Sequence, residues 1–272
     1  MLKKHPAVGM ILALWLVAGA GASGNRSLDT VVQIVRQIQR ADYEGDRSAL
    51  KRLYAELAPF VEDKELASRV RYWRGFALWR RAINGFNETP TATDLEKDLQ
   101  DAVVEFTESA TRDPRFADAE IAEASSLSYL LYLHLKDPQL VQAYAAKARP
   151  LLQSAQAMAP DNPRLYWVLG PIYWSRPVES GGGQAKAFET YEKGLEAVRN
   201  QKGASVNSLD PSWGEPELLM NLAWSYLHRA EPDLAAAERY ALSALALVPD
   251  WHYVKDILLP QIRQANQTHA SK

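Results

Sequence analysis

The stretch GPIYWSRPVESGGGQAKAFETYEKGL, residues 170–195, holds three successive glycines with Lys186 close behind them. Glycines followed by a lysine can cradle a phosphate, with backbone N–H groups and an ammonium facing its oxygens. That chemistry requires the spacing G-x-x-x-x-G-K-S/T on the turn from a strand into a helix. Here Lys186 is followed by Ala187, and both flanks carry helical periodicity. The stretch is therefore predicted to be a long turn between two helices. Pro177 stops the first, Gly181, Gly182 and Gly183 permit the reversal, and QAKAFETYEKGL restarts as the second.

Other catalytic chemistries fail on residue type. The chain has no cysteine, which excludes disulfides, thiol nucleophiles and thiolate-bound metals. His134, His228, His252 and His269 never fall four apart, and no His-Glu-x-x-His occurs, so no zinc site is expected. No G-x-S-x-G is present for a serine nucleophile. The carboxylates are spaced as exposed helix faces. A formal net charge of −2 offers no basic field to nucleic acid. Neither enzyme activity nor a cofactor is expected.

Interface chemistry remains. There are eight tryptophans, seven of them after residue 22, and tryptophan and arginine are typical anchors of binding surfaces. Which of them face outward depends on the elements that carry them. The chain starts with Lys3 and Lys4, an apolar run and the small residues Ala20 and Ala22, the order of a secretory signal peptide over residues 1–22. No lipobox cysteine follows, so the mature protein is expected to be periplasmic or secreted, with no integral membrane segment. Beyond it, LDTVVQIVRQIQRADYE puts Leu28, Val31, Val32, Val35 and Ile38 on one helical face. Asp46 is a predicted N-cap of the next helix, Thr93 or Asp94 that of a later one, and Pro114 a stop.

Self-comparison reveals a repeat. Ala102, Phe106, Ser109 and Pro114 share their spacing with Ala148, Leu152, Ala155 and Pro160, and with Ala237, Ala241, Ala244 and Pro249. Upstream, YWVLGPIY pairs Tyr166, Leu169, Gly170 and Tyr173 with Leu219, Leu222, Ala223 and Tyr226 of LMNLAWSY. The pattern resembles the tetratricopeptide-repeat family, W-x2-L-G-x2-Y followed by A-x3-F-x2-A-x4-P. The small residues sit where paired helices touch, and the prolines end the second helix of a pair. In this register the glycine stretch lengthens one turn by about five residues.

The resemblance implies an all-α, right-handed solenoid of antiparallel helix pairs over residues 23–272, with the clearest repeats in 93–249. It also implies a concave groove that binds a protein or peptide partner. Arg164, Trp167, Pro171 and Trp174 would face that groove from one repeat, and Glu217, Met220, Trp224 and His228 from the last. The competing reading packs each tryptophan against the next helix layer. Trp213, in SLDPSWGEPELL, is expected to plug the preceding repeat. Family members that clamp a C-terminal carboxylate use Lys and Asn on this face. Trp167, Pro171, Met220 and Trp224 stand there instead, so that role is not carried over. An alternative function is a small-molecule or lipid carrier, similar to the tetratricopeptide component associated with periplasmic solute transporters.

Overall fold

The computed structural model describes residues 18–88, 91–201 and 207–270. The expected signal peptide lies mostly outside them, with only Ala18–Ala22 placed, at the start of the first helix. The described residues form eleven α-helices and no strand. These are α1 (Ala18–Glu44), α2 (Arg47–Glu56), α3 (Ala67–Gly85), α4 (Ala92–Arg112), α5 (Ala117–Leu133) and α6 (Pro138–Met158). They continue as α7 (Pro163–Ser175), α8 (Gln184–Gln201), α9 (Glu215–His228), α10 (Leu234–Leu247) and α11 (Leu259–Ala270). No helix among the described residues is long and apolar enough to cross a membrane.

Short polar residues start the helices by accepting backbone N–H groups that have no partner within the first turn. Asp46 accepts from Ala49, Asp137 from Gln139 and Leu140, Asn162 from Arg164, and Asp233 from Ala236. The cap of α4 is Thr91 rather than the expected Thr93 or Asp94. The predicted stops hold: α4, α6 and α10 end two residues before Pro114, Pro160 and Pro249.

Neighbouring helices pair as α1–α2, α3–α4, α5–α6, α7–α8 and α9–α10. Within pairs the small repeat residues are buried, among them Ala148, Ala155, Ala187, Ala237, Ala241 and Ala244. Gly170 is the tightest contact: a Cβ there would stand 1.9 Å from a ring carbon of Tyr191 on α8. The lengthened turn is structural. Gly181 and Gly183 adopt positive φ of 78° and 101°, and the Gly183 N–H donates to the Tyr173 carbonyl at 2.8 Å. The Arg176 guanidinium lies over the Tyr173 ring.

Each odd-numbered helix from α1 to α9 also packs on the next odd-numbered one, while the even-numbered helices make no comparable contacts with each other. The odd-numbered helices thus form a layer, and its first helix reaches the residues just before α11. Tyr43, near the end of α1, stacks edge-on against Trp251 at 5.2 Å, and Gly45 abuts His252.

Candidate functional site

At one end the odd-helix layer is filled by the chain's own aromatics. Along α3, Trp73, Phe76 and Trp79 recur at helical spacing and are all but fully buried. Trp167 of α7 meets Trp79 at 5.7 Å and Trp213 at 5.4 Å, both edge to face. Trp213 arrives from the loop before α9; its indole N–H donates to the Tyr72 hydroxyl at 2.9 Å. The Trp73 indole donates to the Leu209 carbonyl at 2.8 Å. Trp213 thus plugs the layer as expected, and two sequence expectations change with it. Trp167 does not line an open groove; it is 4% exposed, because the loop residue covers it. Arg164 does not rim a groove either. It is ion-paired with Asp118 and donates to the Trp213 carbonyl, which clamps the same loop. Burial opposes the Arg164 charge and Asp118 outweighs it, leaving Arg164 above the ordinary arginine range.

A buried polar cluster lies next to this aromatic base. Arg80 Nε donates to Asp42 Oδ1 at 2.8 Å, joining α3 to α1. Asn84 Nδ2 donates to the Asp42 carbonyl at 3.0 Å. Glu217, also expected on a groove rim, is 1% exposed. It accepts from the Tyr43 hydroxyl and from the Gly214 N–H, each at 2.7 Å. Its position three residues into α9 lets its carboxylate reach back to the N-cap N–H, the half of a capping box that Gly214 allows, which draws it inward. Burial raises the Asp42 and Glu217 carboxyls above their ordinary values, against the pull of Arg80. Arg80 stays charged: burial works against it, and Asp42 overcomes that. Sequence reading missed Asp42, Tyr43 and Arg80, which belong to no repeat position. The one available signal was the apolar face Trp73–Phe76 of α3 running on into a charged residue.

One turn further along, the layer opens. On α7 the inward stripe passes from buried Trp167 through exposed Pro171 to half-buried Trp174. Pro171 has no N–H to offer the Trp167 carbonyl, and Asn221 Nδ2 from α9 reaches that oxygen at 3.5 Å. On α9 the stripe runs from buried Glu217 through half-buried Met220 and Trp224 to exposed His228. Trp174 and Trp224 meet edge to face at 5.4 Å, and Phe188 of α8 extends the row from Trp174. His228 stacks on Trp224 with ring centres 4.2 Å apart. Its Nδ1 lies 2.8 Å from the Trp224 carbonyl. A carbonyl only accepts, so Nδ1 carries the proton and the neutral ring keeps its lone pair on Nε2. The structure therefore brings Trp174, Met220, Trp224 and His228 together on a partly open surface and sets Arg164, Trp167 and Glu217 beneath it.

Two half-buried tyrosines have raised phenols. Tyr129 of α5 feels the Arg80 charge, and Tyr253 feels Tyr129. Burial, then Tyr129, pushes the Tyr253 phenol up to about 12. Elsewhere, a cleft of about 530 Å³ is lined by Glu62, Arg69, Arg112, Asp113 and their neighbours. It is polar, and Arg69 and Arg112 are already paired, with Asp113 and Asp210 and with Glu62 and Glu108. No group of three or more acidic or histidine side chains among the described residues could hold a metal ion.

No family model and no curated protein sequence matches the chain. Among solved structures it is similar to the HusA haemophore from Porphyromonas gingivalis, with a TM-score of 0.56 and 17% sequence identity. The match covers 74% of this chain and 94% of that one. At that identity the likeness concerns the fold: the chain shares an all-helical architecture with a binding protein.

Proposed function

We propose that the protein is an exported, non-enzymatic carrier that binds a flat, largely apolar small molecule, with a haem-class tetrapyrrole the leading ligand. On this reading the helix pairs form a right-handed solenoid of the tetratricopeptide type. The observation that carries it is the half-open row Phe188–Trp174–Trp224–His228. Half-open aromatic rings of this kind offer a planar ligand extended apolar contact. Where the ligand carries iron, His228 Nε2 is the lone-pair nitrogen at the edge of that row. The fold likeness to a haemophore supports a small ligand over a protein partner. A peptide in the groove, the first expectation from the sequence, finds less support because Trp167 and Trp213 occupy much of that space.

Titration of the purified protein with haemin, read by the Soret band and tryptophan quenching, tests this. Saturable binding is expected, weakened about thirtyfold by Trp224→Ala, since losing a binding anchor costs about 2 kcal/mol. Absence of binding to haemin and to metal-free protoporphyrin, with co-purification of a defined protein instead, would return the reading to a peptide groove.

A further inference from the structure

We infer that Arg80 is the receptor for a carboxylate on the ligand, so that the site selects acid-bearing flat molecules over neutral ones. The inference rests on the small-ligand reading above and adds what the ligand must carry. Arg80 is 3% exposed, yet only its Nε has a hydrogen-bond partner among the described residues. Its two terminal nitrogens have none, and they are not among the side-chain atoms sealed from solvent. An arginine offers five N–H donors in a planar fork. Here one edge of the fork is held by Asp42 and the terminal nitrogens on the other have no partner among the described residues.

The surroundings aim that free edge. The Phe76, Trp79 and Trp167 rings lie 5.7–5.9 Å from the guanidinium carbon, so its faces are walled by aromatics. Asp42 is committed to Arg80 and Asn84, and Glu217 to Tyr43 and Gly214. Neither acid has a hydrogen bond to the terminal nitrogens of Arg80, which are left to an incoming acceptor. The unpartnered indole N–H groups of Trp79 and Trp167 are likewise donors.

The distance to the open aromatic row fits one ligand touching both places. Arg80 lies at the level of Trp167, and Trp174 is seven residues further along the same helix, about 10 Å at the α-helical rise. A tetrapyrrole resting on Trp174 and Trp224 with its propionates pointed inward spans that separation. Charge-assisted pairing of a guanidinium with a carboxylate is the strong form of this contact, and a dry aromatic wall strengthens it.

The test compares protoporphyrin IX with its dimethyl ester, which keeps the disc and removes the acids. With the wild-type protein the acid is expected to bind at least tenfold more tightly than the ester. Because Arg80→Gln alone strands the buried Asp42, the variant used is the double change Asp42→Asn with Arg80→Gln, checked for its helical circular dichroism. In that variant the preference for the acid should vanish while the ester still binds as to wild type. Equal binding of acid and ester by wild type would overturn this inference and leave the aromatic site standing. A preference that survives in the folded double variant would overturn it too, placing acid recognition elsewhere. Binding of neither compound would sink the small-ligand reading and this one together.

Discussion

Trp167 and Trp224 occupy neighbouring places in one inner layer, and the structure gives them opposite jobs. Trp167 is 4% exposed and touches Trp79 and Trp213 edge to face. A buried tryptophan withdraws up to about 250 Å² from water, worth about 6 kcal/mol at ~25 cal/mol per Å². A compact unfolded state already hides ~10–40% of that, which leaves about 4 kcal/mol, within the ~3–5 kcal/mol seen for such truncations. In a domain of this size one kcal/mol moves the melting temperature by ~2–4 °C. Trp167→Ala should therefore lower the melting temperature by at least about 8 °C in a circular-dichroism melt. Trp224 is only half-buried and shares its contacts with Trp174 and His228, so Trp224→Ala should move the melt by a few degrees at most while weakening haemin binding. If Trp167→Ala melts like wild type and abolishes binding, the loop carrying Trp213 does not cover it in solution, and the plugged base is wrong.

Further expectations concern the frame around the site. Gly170→Ala puts a methyl group 1.9 Å from Tyr191, which is itself 2% exposed and has nowhere to turn; a loss of ~1–3 kcal/mol or more is expected in urea unfolding, and an unchanged midpoint would mean α7 and α8 are not locked together. Asp46→Ala removes the N-cap of α2, at a cost of ~1 kcal/mol in the same assay; no change would show the cap replaced by water. Glu217 takes up a proton on folding because burial raises its carboxyl above 4.5. Its contribution to stability is therefore greatest below that value and falls as pH rises through the raised one. Glu217→Gln should flatten the decline in stability from pH 4.5 upward, and an identical slope in wild type and variant would contradict the buried position.

The helices and their partners were legible because repeat residues are chosen by contact. Gly170, Ala148, Ala187 and Ala237 are small where a partner helix leaves no room, and Pro160 and Pro249 stand just beyond helix ends. Such constraints act within about two helices, so a single sequence displays them. The site was only half legible. The register put Trp174, Met220, Trp224 and His228 on one face together with Trp167 and Arg164, and the structure leaves the first four partly open and buries the other two. What separates the two groups is a contact far away in the chain, the loop around Trp213, whose position no local period encodes. The same holds for Arg80 and Asp42, 38 residues apart, and for Tyr43 and Glu217, 174 apart. The first pair forms where α1 packs on α3, and the second only where α1 meets α9.

That closure also bears on how a protein with so full an interior could hold the proposed ligand. Tyr43 links α1 to α9 through Glu217 and touches Trp251, so the first and last parts of the array brace each other. A braced array cannot widen along its whole length without breaking buried hydrogen bonds, each costing roughly 1–3 kcal/mol once a partner is left bare. The room must therefore be built in, and Pro171 is where it appears. A proline in the middle of α7 forfeits one helical hydrogen bond and clashes with the preceding turn, a cost of about 3 kcal/mol in an ordinary helix. Asn221 offsets part of it by reaching the Trp167 carbonyl. What the substitution leaves is a short, exposed ring between two tryptophans on the inner stripe, where a third long side chain would close the gap. A stability cost carried at the one place where the packed base gives way to the open aromatic row is the pattern expected of a binding site rather than of a core.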